Sequence, residues 1–394
     1  MSFLVSLVRR AGTLTVLAGL ATVLVLSTVS SSRVGPAYQA AATSVGYTPV
    51  TGATFNRPVG TTAEQRAIFT VLDDTIDATP AGATIRIAVF SFSDKATADR
   101  LIAAHDRGVN VQLIFDDHAI YTQEARLRTA LGASPDATSF VVYCHHSCRG
   151  TGGNMHDKLF LFSQAGAAST VVNVGSDNIT AHNAQDQWSD MYTVVGDAAL
   201  YFTYAGVFDQ MKYDKAMPSP YIRADVNGYQ PQFYPYPGTS MATDPVYQAL
   251  VPITCTGLPA GSGTAAGHTV VRISQHAWNG ARGIYLANKV AQLKSAGCNV
   301  KVIYGVGIGA TVKNILTHAN IPVSAGQHPG IRTHEKTLTV NGWYGDDRFA
   351  KIVWTGSHNW SDGALKRDEI IFRIEDPATY DAYNANFNDI WKNG

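Results

Sequence analysis

Gly108-Val109-Asn110-Val111-Gln112-Leu113-Ile114 and Gly297-Cys298-Asn299-Val300-Lys301-Val302-Ile303 are near copies of one stretch. Each starts with a glycine that stops a helix and continues as an apolar strand. Upstream of the first, Thr84-Ile85-Arg86-Ile87-Ala88-Val89-Phe90 reads as a buried strand, followed by a helix over Thr97–Arg107. Upstream of the second, Thr269-Val270-Val271-Arg272-Ile273-Ser274 is again a strand, followed by a helix over Ala281–Ser295. Strand, helix, glycine and strand form a βαβ unit, and short apolar strands fit a sheet shielded by helices. The unit occurs twice. The expected fold is therefore α/β: two repeated α/β domains packed with pseudo-twofold symmetry, their mixed or parallel sheets flanked by helices.

The chain has 394 residues, of which 45% are hydrophobic and 15% charged, enough to bury a core and too long for one ordinary core. The expected division is an export signal over 1–40, a first domain over 41–216, a connector over 217–260 and a second domain over 261–394. The connector is rich in Pro, Tyr and Gly, as in Pro231-Gln232-Phe233-Tyr234-Pro235-Tyr236-Pro237-Gly238. It reads as a long segment without regular structure, either a surface linker or a functional lid. At the N-terminus, Arg9 and Arg10 precede an apolar run from Ala11 to Val29, and Ala40-Ala41-Ala42 offers a small-residue cleavage site. A membrane anchor is the alternative. The Thr, Ser and Gly content of the run, with no charged stop close behind it, favours a cleaved signal and a secreted protein.

Thirty basic and thirty acidic residues balance in the full chain. Removing Arg9, Arg10 and Arg33 with the signal leaves 27 basic against 30 acidic, a net charge of −3. That excludes a broad basic surface for nucleic acid. The cysteines are Cys144, Cys148, Cys255 and Cys298. An even count in an exported chain suggests two disulfides, most economically 144–148 and 255–298. The alternative is a metal site, since Cys144-His145-His146-Ser147-Cys148 sets two His between two Cys. No metal and no cofactor are expected for the chemistry.

The chemistry-bearing residues are also repeated. The first copy reads Asn154-Met155-His156-Asp157-Lys158-Leu159-Phe160-Leu161-Phe162, then Gly175-Ser176-Asp177-Asn178. The second reads Thr333-His334-Glu335-Lys336-Thr337-Leu338-Thr339-Val340, then Gly356-Ser357-His358-Asn359. Residues i and i+2 of an extended strand face the same way, so His156 and Lys158 share a face, as do His334 and Lys336. A pseudo-twofold would bring two His, two Lys and two Asn to one cleft. Lys and Asn can hold the oxygens of a phosphodiester without a metal, with Ser176 and Ser357 as further substrate contacts. One His can attack phosphorus while the other protonates the leaving oxygen.

This doubled pattern resembles the phospholipase D superfamily, whose signature is HxKxxxxD followed by GSxN, usually present twice. The resemblance runs from about Thr84 to the C-terminus. It implies an active site at the interface of two α/β domains, with His156 as nucleophile and His334 as general acid. The motif Asp is replaced by Ser163 in the first copy and Asn341 in the second. The family also carries an acidic residue after GSxN that orients a catalytic His. Asp190 and Glu369 are the matching candidates, with Asp186 and Asp368 as competitors. Asp116-Asp117-His118, after a strand, reads as a capped loop or as part of the cleft rim. Trp188, Trp343, Trp354 and Trp360 read as core or as an apolar wall.

The leading expectation is a secreted, monomeric phospholipase D-type phosphodiesterase. It hydrolyses glycerophospholipids at a membrane or micelle surface, or transfers them to alcohols, through a phospho-histidine. The alternatives are a secreted, metal-independent nuclease of the same superfamily, a catalytically weak binder of phosphorylated ligands, and a synthase of anionic phospholipids.

Overall fold

The computed structural model describes residues 46–238 and 240–394. The expected export signal and its cleavage site lie outside them. Among the described residues, no helix is long and apolar enough to cross a membrane.

In chain order the first half contributes β1 (Gly52–Phe55), β2 (Thr84–Val89), β3 (Asn110–Asp116), β4 (Phe140–Cys144), β5 (Lys158–Ala165), β6 (Ala168–Gly175), β7 (Gln187–Trp188) and β8 (Asp190–Val195). The second contributes β9 (Ile222–Arg223), β10 (Tyr229–Phe233), β11 (Ile253–Thr254), β12 (Val270–Trp278), β13 (Asn299–Ile308), β14 (Val323–Ser324), β15 (Arg332–Thr333), β16 (Lys336–Tyr344), β17 (Asp347–Gly356) and β18 (Ile370–Glu375).

The first sheet has the order β1-β8-β6-β5-β2-β3-β4, and the second repeats its plan as β14-β13-β12-β16-β17-β18-β10-β9. β2 pairs parallel with β3, and β12 with β13, while the strands that carry the motifs run antiparallel to β2 and β12. The sheets are therefore mixed. The crossover helices span Lys95–Asp106 and Gly280–Ser295. After each helix, Gly108 (φ +90°) and Gly297 (φ +101°) take the left-handed turn that ends it, which is why both copies carry glycine there.

One face of each sheet forms its own core: Ile85, Ile87, Val111 and Leu113 in the first, Val271, Ile273, Val300 and Val302 in the second. Each such side chain contributes about 1.5–3 kcal/mol by leaving water. A further core joins the halves, where Leu159, Leu161 and Tyr204 pack with Val353, Phe372 and Tyr383. This shared core packs β5, which carries the first motif, against β17 and β18 of the second half.

The connector departs from the expected irregular segment. Tyr229–Phe233 forms β10 on the edge of β18, and Pro245–Leu250 forms a helix capped by Asp244. The cause is aromatic pairing across the edge: Tyr229 stacks on Phe372 at 5.3 Å, and Phe233 meets the Tyr204 ring edge-on at 4.8 Å. Both expected disulfides form, Cys144–Cys148 and Cys255–Cys298, which suits an extracellular protein.

Candidate active site

The two motifs meet because each half holds the backbone of the other's histidine. His156 N donates to Asp368 O (2.9 Å), and His334 N donates to Trp188 O (2.8 Å). Short parallel pairings, Met155 with Asp368 and β15 with β7, continue this seam. Lys158 and Lys336 are the first residues of β5 and β16 and pair with Val89 and Gln275 on the central strands. His156, Lys158, His334 and Lys336 are between 0% and 7% exposed, so the cluster is shielded from bulk water.

The glycine of each GSxN allows a close crossing. A Cβ on Gly175 would lie 2.1 Å from Asp190 O, and one on Gly356 2.2 Å from Ile370 O. The serines pin the same crossing. Ser176 Oγ donates to Asp190 Oδ1 (2.6 Å) and accepts from Asp190 N (3.0 Å), while Ser357 Oγ accepts from Ile370 N (2.9 Å). Both hydroxyls are thus engaged in holding the next strand. Asn359 Oδ1 accepts from Ala277 N (3.1 Å), which leaves its NH2 as the donor for a ligand. Asn178 is buried, with its Oδ1 unpartnered.

The two imidazoles have different partners. His156 Nδ1 meets Glu369 Oε2 at 3.0 Å, and that carboxylate is fully buried. His334 Nδ1 donates to Ser176 O (2.8 Å), a neutral acceptor. Asp190, expected to orient an imidazole, makes no such contact. Its carboxylate accepts from Ser176 Oγ, Tyr383 Oη and Thr355 Oγ1. The register explains the difference. Gly175 pairs with Met191 and Gly356 with Ile371, so Asp190 corresponds to Ile370, and the counterpart of Glu369 is Ser189. Asp368 corresponds to Trp188, and its carboxylate accepts from Cys148 N. Asp186 pairs with His182 at 2.9 Å instead.

Burial, then the two lysines, holds the His156 pKa well below its ordinary value; burial and Lys336 do the same for His334. Burial lowers Lys158 to about 7 and pulls Lys336 well below its usual range, with Lys158 adding repulsion. Glu369 is pushed up to about 7 by burial, against the pull of Arg367 and Lys158. An unliganded site of this kind favours neutral groups, and an entering phosphate anion restores charge to the lysines and imidazoles. Both lysine amines donate to the carbonyl of their own histidine, Lys158 to His156 O (2.7 Å) and Lys336 to His334 O. This aims both cations at the seam.

The residues at the motif's Asp positions act as neutral acceptors. Ser163 Oγ accepts from Thr84 N (2.8 Å), and Asn341 Oδ1 accepts from Gly263 N (3.3 Å). Asp116 is both a cap and a neighbour of the site: it accepts from His118 N (3.0 Å) and Met155 N (2.8 Å). The His118 ring lies flat on Phe90 at 4.0 Å, and Phe90 in turn contacts the His156 ring at 4.9 Å. Trp188, Trp354 and Trp360 are core residues.

Sequence reasoning missed His276. Its ring lies edge-on to His334 at 4.5 Å, its Nδ1 donates to Thr333 O (3.1 Å), and burial beside Lys336 lowers its pKa to about 3. It follows Gln275 as Phe90 follows Val89, so aligning the repeat residue by residue would have set it beside the second motif. Among the described residues, no group of three or more His, Cys, Asp or Glu is placed to hold a metal ion.

Phosphatidylserine synthase of Haemophilus influenzae has a similar structure, with 13% identity, a TM-score of 0.58 and 86% of each chain covered. Polyphosphate kinase of Porphyromonas gingivalis matches with 11% identity and a TM-score of 0.53, over 85% of this chain and 49% of that one. The chain thus spans about half the length of the kinase. At these identities the likeness is one of fold, the doubled α/β architecture described above. No curated protein matches the sequence. The model of the family described as "Cardiolipin synthase, PLD-like domain" matches residues 74–212 and 269–391, and the chain belongs to that family, within the phospholipase D superfamily.

Proposed function

We propose that the protein is a secreted phospholipase D-type phosphodiesterase that hydrolyses glycerophospholipids, or transfers them to alcohols, through a phosphate bound to His156. Enzymes of the superfamily act on phosphodiesters, and the family's description names a lipid enzyme. The observation that carries the covalent step is the unequal pairing of the two imidazoles: Glu369 on His156, a neutral carbonyl on His334. Attack by the His156 Nε2 lone pair forms an N–P bond and breaks the P–O bond to the head group. The imidazolium so formed carries its charge beside Glu369. His334, charged while the phosphate anion lies next to it, gives its proton to the leaving oxygen. It then takes a proton from water or an alcohol, whose oxygen displaces His156 from phosphorus. Lys158, Lys336 and the Asn359 amide bind the non-bridging oxygens throughout.

The mature protein in chelator should release choline from phosphatidylcholine micelles, and His156→Ala should abolish release with the fold intact. Plasmid degradation without choline release would replace this reading with the nuclease. Turnover surviving in His156→Ala would remove the covalent step.

A further inference from the structure

A cleft of about 640 Å³ lies along the connector, and none of the motif residues lines it. One wall is the connector, at Met217, Pro218, Pro235 and Tyr236; Gly152, Leu365 and Tyr285 stand across from it. Its size and its proline and aromatic lining suit an apolar ligand. The buried Arg282 in its wall is neutralised by Asp244, with Nε to Oδ2 at 2.6 Å, while the other charged lining residues, Asp362 and Lys366, are exposed to solvent.

The cleft is tied to the reacting centre through the backbone. Tyr234 N donates to Glu369 O (2.9 Å), and two residues on Tyr236 N donates to Leu365 O (2.8 Å). Leu365 precedes Glu369 by four residues and Gly152 precedes His156 by four, a span of at most about 14 Å even in extended chain. For a lipid whose phosphorus sits at His156, the connector wall is thus within the reach of an acyl chain. Resting on the lipid reading of the site, we infer that this cleft is the acyl-chain subsite. The connector that the repeat does not explain is then a specificity element, and turnover depends on chain length through it.

The test uses ligands without phosphorus, so it stands apart from catalysis. Each methylene moved from water to an apolar wall strengthens binding about fourfold. Calorimetry with octanoate, decanoate and dodecanoate should show affinity for the mature wild type rising at least tenfold across the series. Gly152→Trp should abolish that rise. A Cβ at Gly152 meets nothing within 4 Å, so the indole has room to enter the cleft. Met217→Asp, which sets a charge in the opposite wall, should do the same. Hydrolysis of bis(p-nitrophenyl) phosphate, which has no chain, should stay within twofold in both variants. Should Gly152→Trp lose that activity too, Met217→Asp decides alone. No chain-length dependence in the wild type, or variants that bind as it does, overturns the subsite. Chain binding without choline release would sink the lipase and leave the cleft; choline release without chain binding does the reverse.

Discussion

Replacing Glu369 by Gln keeps shape and burial and removes one charge. In the wild type that charge lies 3.0 Å from His156 Nδ1, on a side chain with no exposure to solvent. A hydrogen bond to a charged partner contributes about 1.5–3 kcal/mol. Opposite charges about 4 Å apart near a protein surface attract by about 4 kcal/mol. In the proposed mechanism the interaction matters most once phosphorylation makes the imidazole cationic. A loss of about 2–4 kcal/mol from the transition state lowers turnover about 30- to 1000-fold. Ser189, at the matching place in the other half, holds no imidazole by charge, and Ser189→Ala should change turnover less than about threefold. Steady-state hydrolysis of bis(p-nitrophenyl) phosphate, with alkaline denaturing quench to trap phosphorylated enzyme, measures both. Burial pushes Glu369 up to about 7, and in the proposed mechanism it works as the anion. Wild-type turnover should therefore fall as pH drops below about 7, and Glu369→Gln should lack that limb. Equal damage from Ser189→Ala, or a Glu369→Gln variant within threefold of wild type, would refute the unequal division of roles.

Asp244→Ala should cost about 3–5 kcal/mol in urea denaturation, because it strands the buried Arg282 guanidinium that also donates to Asn359 O (3.0 Å). Glu124 is buried against Phe92 N and Tyr121 N, with its pKa raised to about 8 mainly by burial. The native state therefore holds its proton when the unfolded state has lost it. Wild-type stability should decline relative to Glu124→Gln as pH rises from about 4.5 to 8, and a flat difference in denaturation midpoint would contradict this. The two disulfides should separate by function. Serines at Cys255 and Cys298, which are 43 residues apart, should destabilise by about 4 kcal/mol with little effect on turnover. Serines at Cys144 and Cys148 should destabilise by only about 2 kcal/mol. They should lower turnover further, since Cys148 N binds Asp368 next to Glu369.

The repeat was legible because glycine, strand and motif recur in the same order, and the structure places both copies on equivalent strands. The partner of each imidazole was less so. Asp190 suggested itself ahead of Asp186 as the first residue of an apolar strand, yet strand pairing gives Ser189 the place that matches Glu369. A shift of one residue turns a side chain to the other face of a sheet, and only pairing reveals it. β10 was hidden for a different reason. Pro231 and its neighbours read as loop, while the aromatic partners that make the segment a strand lie on β18 and on the helix Ala198–Met211 of the first half. His276 belongs to a third class: its place was encoded in the repeat, but it carried no motif of its own.

On the proposed mechanism, the seam also makes catalysis a readout of assembly. His156 hangs by its amide from Asp368, and His334 by its amide from Trp188, so each half suspends the other's reactive group. Two half-chains expressed separately would be silent, and turnover would return only as they docked.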